Sequence, residues 1–353
     1  MKDQKKLESL VSSLLPWYEK NRRSLPWRDH PSPYHVWISE IMLQQTRIEA
    51  VIPYYERFLM ELPDVCALAA VPDDKLMKLW EGLGYYSRAR NLKKAACTVM
   101  EKYGGKLPDS AEELRRLSGI GDYTAGAIAS ISFGKPEPAV DGNVLRVIMR
   151  YLGKKDDISL QSTKKETAAA LRAVYPTGES AKNLTQAIME LGESVCIPNG
   201  QPKCSQCPLS ALCKAKEEDL TDSIPVKSPK KPRKQEPKTV FLLSCRGKYA
   251  IHKRPETGLL ANLWEFPNTG QKLSEEEATA YLRSLGLSPI GISPCGEAVH
   301  IFTHIEWHMT GYTAECLYPS EDFLWKTAEE ILSDYAIPSA FRAYVSYIKS
   351  LLR

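Results

Sequence analysis

Two glycines on either side of one apolar residue, directly before a helical pattern, constrain the fold of this chain more than any other feature. Gly119 and Gly121 flank Ile120, and apolar residues then recur at helical spacing as far as Ile131. Glycine permits a tight turn with outward-facing backbone N–H groups, and the N-terminus of the next helix adds further amides. Such a hairpin can bind a phosphate group without a charged side chain. Short glycine motifs are common, so an ordinary loop explains these glycines equally well.

A second helix start follows this hairpin and carries an acidic residue. Residues Gly134 to Pro138 interrupt the helical pattern, and Asp141 then precedes the apolar positions of another helix. A carboxylate at a helix start accepts backbone hydrogen bonds and faces the positive end of the dipole, so we expect Asp141 to be ionised. An ordinary helix cap would have the same pattern. The hairpin and Asp141 together resemble the helix-hairpin-helix and Gly/Pro-rich loop of the endonuclease III superfamily of DNA glycosylases. The resemblance implies that Gly119 and Gly121 bind a DNA phosphate and that Asp141 is catalytic.

An acidic residue also interrupts the apolar helical pattern between Tyr34 and Arg47. If Glu40 is buried there without a cation, its pKa is raised, as a general acid at neutral pH requires. If it pairs with an arginine on a solvated face, the same spacing results. The string from Glu40 to Thr46, Glu-Ile-Met-Leu-Gln-Gln-Thr, resembles the signature of MutY-type adenine DNA glycosylases. The resemblance implies that Glu40 is the catalytic acid and that Gln45 and Thr46 lie at the DNA lesion.

The string from Leu79 to Asn91, which contains Gly82 and Gly84, has the composition of a loop that meets nucleic acid. Tyr85 offers a flat face for stacking, and Arg88 can contact a phosphate. Plain surface packing of a loop tyrosine is the alternative. The string resembles the intercalation loop of the MutY-type family, which implies that Tyr85 wedges between bases and that Leu83 also contacts the substrate.

The same resemblance assigns residues that the sequence pattern does not single out. Tyr123 and Asn143 belong to the catalytic group, and Trp27 and Arg28 shape the pocket for the flipped nucleotide. Gln186 faces adenine, whose edge an amide can read with one donor and one acceptor. Without the resemblance, Gln186 would be interpreted as an ordinary surface residue.

Four cysteines within eighteen positions predict a metal centre formed by Cys196, Cys204, Cys207 and Cys213. Four thiolates suit a structural zinc ion or a [4Fe–4S] cluster, and the spacing alone leaves both open. The family resemblance favours the cluster, although the family has six residues in the first gap and this chain has seven. The chain holds nine cysteines and shows no secretion signal, which predicts a reducing, cytoplasmic location.

The composition changes in the last third of the chain. Residues 217–237 are charged and proline-rich, which predicts an extended linker between a helical domain (1–216) and an α+β domain (238–353). The second domain is similar to a Nudix (MutT-like) domain, with paired strands expected at Ala298–Trp307 and Met309–Cys316. It lacks the Arg-Glu-x-x-Glu-Glu helix that binds metal in Nudix hydrolases, so we expect it to bind a ligand without hydrolysing it.

The string from His300 to Trp307 resembles the Phe-Ser-His loop that recognises 8-oxoguanine in the MutY-type family. The resemblance implies that Phe302, Thr303 and His304 contact this lesion, with threonine in place of serine. A plain hairpin with surface histidines is the alternative. Threonine keeps the hydroxyl group, so a hydrogen bond to the lesion remains available.

The sequence therefore predicts an all-α helix-hairpin-helix glycosylase domain with an iron–sulfur cluster loop, followed by an α+β Nudix-like domain. The resemblance implies a monomeric, monofunctional enzyme that removes adenine from 8-oxoguanine·A or G·A mispairs in double-stranded DNA. The net charge of +4 permits nucleic-acid binding without demonstrating it. A bifunctional glycosylase/lyase of the endonuclease III kind and a non-enzymatic damage-binding module are the alternatives. Glu40 and Tyr123 argue against the first, and the presence of both Glu40 and Asp141 argues against the second.

Overall fold

The computed structural model describes residues 2–29, 31–229 and 232–351 of the chain. Contacts between residues divide it into two units. The first comprises Met1–Ala70 with Asn91–Pro229, and the second comprises Val71–Arg90 with Lys230–Arg353. The second unit therefore includes residues 71–90, a segment that the sequence places within the helical domain.

Most of the helices lie in the first two-thirds of the chain, and those within residues 71–90 belong wholly or partly to the second unit. A 3-10 turn at Cys204–Gln206 separates the last two helices of the first unit. In chain order they are α1 (Lys2–Asn21), α2 (Pro26–Asp29), α3 (Pro33–Met42), α4 (Ile48–Glu61), α5 (Val65–Ala70), α6 (Asp73–Leu79), α7 (Ser87–Tyr103), α8 (Ala111–Leu114), α9 (Asp122–Phe133), α10 (Gly142–Leu152), α11 (Gln161–Arg172), α12 (Glu179–Ser194) and α13 (Lys214–Glu217). No described helix is both long enough and apolar enough to span a membrane.

Local capping determines where the helices that carry the predicted site begin. The Ser32 hydroxyl accepts a hydrogen bond from the His35 backbone, and Pro33 occupies the first position of α3, where its missing N–H costs nothing. Helix α9 begins after Gly121 and ends at Gly134, whose φ of 65° terminates it in the left-handed conformation. The start and end of α9 agree with the sequence pattern, whereas α3 ends at Met42, before the end of the helical pattern that the sequence shows up to Arg47.

The core of the first unit packs α1 against α10 and α12. Leu10 and Leu14 of α1 are fully buried with Ile148 of α10 and with Leu184 and Ile188 of α12. Truncating one such leucine to alanine typically costs about 2–5 kcal/mol of stability. The long N-terminal helix therefore fixes the two helices that carry the predicted catalytic and adenine-facing residues.

The second unit is built on a mixed sheet with strand order β3-β2-β1-β6-β5, in which β4 also pairs with β1 and β7 with β2. Strands β1 and β6 are parallel, and the other pairs are antiparallel. The strands are β1 (Lys234–Cys245), β2 (Lys248–Lys253), β3 (Trp264–Glu265), β4 (Asn268–Thr269), β5 (Pro289–Ile301), β6 (Ile305–Cys316) and β7 (Leu324–Lys326). The helices after β4 are α14 (Glu275–Ser284), α15 (Ala328–Asp334) and, after a 3-10 turn at Ser339–Phe341, α16 (Arg342–Ser350).

Alternation along β1 explains why both faces of this sheet are covered. Val240 and Leu242 join the apolar cluster that contains Phe341 of the 3-10 turn, whereas Phe241 joins the cluster that contains Leu282 of α14. Successive strand residues point to opposite faces, so a continuous apolar run buries both. The helices therefore lie on both sides of the sheet, as expected for a mixed α+β domain.

Two sequence expectations about the strands are corrected. The turn between β5 and β6 lies at residues 302–304 and not near His308, because the Phe302 N–H donates to the Ile305 carbonyl at 2.8 Å and Ile301 pairs with Glu306. Strand β1 begins at Lys234, inside the predicted linker. Its register places Lys234 opposite Ile305, so pairing with β6 orders residues that local composition assigned to a linker.

Candidate functional site

Two adjoining cavities of the first unit contain most of the residues predicted to carry function. The larger is a groove of about 1380 Å³, and the smaller is a pocket of about 190 Å³. Glu40, Tyr123, Asp141 and Asn143 line both cavities. The groove is also lined by Gln45, Thr46 and Gly121, and the pocket by Trp27, Arg28 and Gln186.

Glu40 is a buried carboxyl group on α3 with 6% exposure. The Tyr123 hydroxyl donates a hydrogen bond to its Oε2 at 2.7 Å. Burial raises the pKa of Glu40 to about 7, and the Asp141 carboxylate adds to the rise, while the Tyr123 hydrogen bond and the Arg28 charge oppose it. Burial and the charge of Glu40 raise the pKa of Tyr123, which keeps its hydroxyl protonated. Glu40 is therefore not a solvated ion-pair residue, and it carries a proton in a substantial fraction of molecules at neutral pH.

Asp141 is the N-cap of α10, as the sequence predicts. Its Oδ1 accepts a hydrogen bond from the Val144 N–H at 2.8 Å, and its Oδ2 accepts one from Asn143 Nδ2 at 3.1 Å. Burial outweighs these interactions and raises the pKa of Asp141 above its ordinary value. Glu40 and Asp141 line the same two cavities, and the Asp141 charge raises the pKa of Glu40, so ionisation of both at once is disfavoured. Asp141, with two hydrogen bonds that favour its ionised form, is the better carboxylate of the pair.

A polar connection runs from Asp141 to a cysteine, and sequence reasoning missed it. Asn143 Oδ1 accepts a hydrogen bond from Arg146 Nη2 at 2.9 Å, and Arg146 Nε donates to the Cys196 carbonyl at 2.7 Å. Arg146 Nη2 also donates to the Gly192 carbonyl at 2.7 Å. The sequence did contain a signal for this connection, because Arg146 lies among the apolar positions of the α10 pattern. Buried arginines are rare unless hydrogen-bonded in this way.

The four predicted ligand cysteines line one small cavity of about 30 Å³. Burial raises the pKa of the Cys207 thiol to about 12 and also raises that of Cys213, so a metal is needed to deprotonate them. Arg150 Nη1 donates a hydrogen bond to Cys196 Sγ at 3.4 Å. Among the residues that the structure describes, no three His, Cys, Asp or Glu side chains are arranged to hold a single metal ion. Four thiols that line one cavity supply the four ligands that a [4Fe–4S] cluster takes from a protein, one sulfur for each iron.

The hairpin glycines differ in their roles. Gly119 has a φ of 77°, and a Cβ there would lie 2.6 Å from the Cβ of Asn91, so only glycine fits. Gly121 is exposed, has an ordinary φ of −91° and is the N-cap of α9. It lines the groove, whereas Gly119 does not. Gly119 therefore forms the turn, and Gly121 presents the helix N-terminus to the groove.

A second group of predicted residues lies in the second unit. The Tyr85 hydroxyl and Thr303 Oγ1 are 3.0 Å apart and share a hydrogen bond. Tyr85 has a φ of 46° and is 47% exposed, so a strained backbone presents its ring to solvent. Phe302 is half-buried, with its ring centroid 4.8 Å from that of Trp307, while Thr303 and His304 are exposed at the tip of the turn.

The prediction that Arg88 contacts a DNA phosphate is corrected. Arg88 is buried, and its Nη2 donates to the carbonyls of Leu83 at 3.0 Å and Gly84 at 3.2 Å. Burial lowers the pKa of Arg88 to about 10. Its guanidinium therefore shapes the loop that carries Tyr85, and Leu83 of the same loop is buried.

Comparisons with known proteins agree with this arrangement. A family model described as HhH-GPD superfamily base excision DNA repair protein matches residues 38–177, and a NUDIX domain model matches residues 239–347. An adenine DNA glycosylase of Homo sapiens is 34% identical, over 97% of this chain and 75% of its own length. That of Buchnera aphidicola subsp. Acyrthosiphon pisum is 35% identical, over 88% and 87%. These matches confirm the predicted fold class.

Two solved structures resemble the helical part. A thermostable thymine-DNA glycosylase has a TM-score of 0.55 and 31% identity, covering 61% of this chain and 98% of that one. An endonuclease III in a non-covalent complex with DNA has a TM-score of 0.52 and 25% identity, covering 62% and 98%.

Proposed function

Since the chain belongs to the adenine DNA glycosylases of the HhH-GPD superfamily, enzymes of base excision repair, we propose that it removes adenine paired with 8-oxoguanine or guanine. One observation carries the proposal. Two carboxyl groups, the buried Glu40 and the half-buried Asp141, line both the smaller pocket and the groove, and the pKa of Glu40 is raised to about 7.

The chemistry follows from the different settings of these two carboxyls. Adenine leaves poorly until it is protonated at N7, and protonated Glu40 supplies that proton. As the C1′–N9 bond breaks, positive charge develops on the sugar. Ionised Asp141 stabilises this charge or captures the sugar covalently, and water completes the hydrolysis with Glu40 as base. Tyr123 holds Glu40 in place through its hydrogen bond, and Asn143 does the same for Asp141.

The groove is the proposed site of the duplex. Gly121 presents the N-terminus of α9 to a DNA phosphate, and Lys164 and Lys165 of α11 line the same groove. The target adenine leaves the stack and enters the smaller pocket, where Trp27 and Gln186 surround it. Unstacking a base costs a few kcal/mol, which these contacts and those of the wedge Tyr85 offset.

The second unit is the proposed reader of 8-oxoguanine. Tyr85 and Thr303 share a hydrogen bond, so the wedge and the threonine hydroxyl meet at one exposed point. Phe302, beside them, is fixed against Trp307, and His304 is exposed for a further contact. The sequence of α14 lacks the Arg-Glu-x-x-Glu-Glu motif of Nudix hydrolases, which supports recognition without hydrolysis.

A [4Fe–4S] cluster is the proposed occupant of the cysteine cavity. Cys196, Cys204, Cys207 and Cys213 would hold it, and the cluster would cross-link the segment between α12 and α13. The purified protein should be brown, with four irons per chain. A colourless, active protein with one zinc per chain would contradict this assignment.

The enzyme is proposed to be monofunctional and to act as a monomer in the cytoplasm. Tyr123 stands where bifunctional relatives carry a Schiff-base lysine, and a phenol cannot form an imine with deoxyribose. Strand cleavage at the product should therefore need added alkali. Efficient borohydride trapping of a protein–DNA adduct would contradict this; weak trapping through a surface lysine would not.

The decisive experiment is an excision assay under single-turnover conditions. Duplexes carry adenine, thymine or thymine glycol opposite guanine or 8-oxoguanine, and Glu40→Gln is the matched inactive control. We expect excision of adenine only, faster opposite 8-oxoguanine. Excision of thymine or thymine glycol would favour the endonuclease III-like alternative, and tight binding without excision would favour a damage-binding module.

A further inference from the structure

A buried carboxylate that the proposed mechanism does not use lies in the wall of the smaller pocket. Glu190 follows Gln186 by one turn on α12, and 1% of its side chain is exposed. Burying a carboxylate is costly unless cations or hydrogen-bond donors replace its hydration. The role of Glu190 can therefore be inferred from the cations that compensate its charge.

Both partners come from the segment between α1 and α3. Arg23 Nε donates to Glu190 Oε1, and Arg28 Nη2 lies 2.9 Å from Oε2. Arg28 Nη1 donates to the Arg23 carbonyl at 3.0 Å, and its guanidinium lies 5.6 Å from the ring centroid of Tyr18. The Arg28 contact is ionic without hydrogen-bond alignment, because Oε2 accepts no hydrogen bond from the described residues. Glu190 therefore holds Arg28 in place mainly through its negative charge, and less through a directed hydrogen bond.

The position of Arg28 matters because Glu40 lines the same pocket. Burial raises the pKa of Glu40 and the Arg28 charge lowers it, so the two groups already interact. Tyr123 and Asp141 also act on Glu40. The other ionisable residues of the pocket wall are Tyr18, Arg22, Arg23, Glu179, Lys182 and Glu193.

We propose that Glu190 is a positioning residue that holds the Arg28 guanidinium against α12, and that it thereby preserves the protonated form of Glu40 on which adenine excision depends. The inference rests on the proposed function, because it concerns the acid of that reaction. Without the charge of Glu190, the uncompensated guanidinium would stabilise ionised Glu40, which has no proton to give to adenine.

The test is the pH dependence of single-turnover adenine excision, measured from pH 5 to 9 with saturating enzyme. The basic limb of this profile reports the loss of the proton from the acid. Glu190→Gln keeps the shape of the side chain and removes its charge. We expect its basic limb to move to lower pH by about one unit, a tenfold loss of protonated acid on that limb.

A second variant gives an expectation of opposite sign and leaves Glu190 paired with Arg23. Arg28→Met removes the cation, so its basic limb should move to higher pH, whatever happens to the maximal rate. The double variant Glu190→Gln/Arg28→Met should lie close to Arg28→Met, because no guanidinium is left for Glu190 to hold. Glu193→Gln is the matched charge control, because Glu193 lies on α12 like Glu190 and also pairs with Arg23. We expect its basic limb to shift less than that of Glu190→Gln.

The outcomes separate the inference from the proposed function. If the wild-type protein excises no adenine at any pH, the proposed function fails. If it excises adenine but Glu190→Gln lowers the rate equally at every pH, Glu190 has only a structural role and the inference fails alone. If Glu190→Gln does not fold, Arg28→Met decides, because an unmoved or downward-shifted basic limb would overturn the inference.

Discussion

At the scale of single residues, Glu40 shows a conflict between activity and stability. Its pKa is raised from 4.5 to about 7, mainly by burial, so the folded state holds a proton that the unfolded chain releases. The folded state therefore binds more protons between these two values, and stability falls as pH rises through this window. Above pH 7 the loss levels off at about 3 kcal/mol by the same relation.

Replacing this acid should therefore stabilise the protein. Glu40→Gln should unfold at the same temperature as the wild type near pH 4.5 and at a higher temperature at pH 8. Thermal unfolding followed by circular dichroism across this range measures the difference. A constant difference at every pH would show that Glu40 is not the titrating group.

Removing the charge of Asp141 should act on catalysis and spare DNA binding. Asp141→Asn keeps an acceptor for the Val144 N–H, so α10 remains capped, but a neutral amide cannot stabilise the charged sugar. We expect single-turnover excision to fall by at least about a hundredfold, with duplex affinity within about threefold of the wild type. Near-normal excision would refute the role of Asp141.

At the scale of secondary-structure elements, α11 presents a basic face to the groove. Lys164 and Lys165 line the groove, and among the described residues neither forms an ion pair, whereas Arg172 pairs with Glu137 at 2.8 Å. Free cations at a groove that receives DNA release counterions from phosphates. We therefore expect α11 to contact the DNA backbone at a place separate from the hairpin.

The salt dependence of binding tests this role of α11. Replacing both Lys164 and Lys165 with glutamine should reduce the slope of log K against log salt by about two, equally for mispaired and paired duplexes. The rate of excision at saturating enzyme should not change. Lys102→Gln, at the exposed end of α7 and outside the groove lining, is the control. An unchanged slope in the double variant would exclude α11 from the interface.

The turn between β5 and β6 acts together with the loop of Tyr85. Thr303→Val keeps the shape of the side chain and removes the hydroxyl that bonds the Tyr85 hydroxyl, and Tyr85→Phe removes the other partner. We expect each to lower the preference for 8-oxoguanine·A over G·A by about 5- to 100-fold, the range of one or two hydrogen bonds to a base. The two effects should be non-additive, because both residues act through one contact. Full additivity in this cycle would show that they read the lesion independently.

At the scale of the whole molecule, the second unit is formed from two separated parts of the chain. Within it, Asp74 Oδ1 accepts a hydrogen bond from Lys253 at 2.8 Å, and Glu81 Oε1 accepts the Ile337 N–H at 2.9 Å. Arg90 Nη1 donates to the Ala261 carbonyl at 2.8 Å. Residues 71–90 therefore depend on the C-terminal part for contacts that a simple two-domain division does not include.

Deleting residues 238–353 should consequently do more than remove the lesion reader. We expect loss of 8-oxoguanine preference by about tenfold or more, slow residual excision from G·A, and new protease cleavage within residues 71–90. Limited proteolysis with mass spectrometry measures the last effect, and Thr303→Val, which keeps these contacts, is the control. An unchanged cleavage pattern would show that residues 71–90 are held without the C-terminal part.

The sequence by itself determined what depends on local spacing. The turn at Gly119, the helix start at Asp141, the four cysteines and the alternating strands follow from backbone geometry and side-chain chemistry within a few residues. Only the tertiary structure decided which groups are buried and what they contact. Burial raised the pKa of Asp141 against the effect of its hydrogen bonds, and it directed the Arg88 guanidinium to loop carbonyls. It also brought Glu190 to Arg23 and Arg28 across more than 160 positions. Desolvation and long-range pairing depend on every element packed around a residue, so no local pattern contains them.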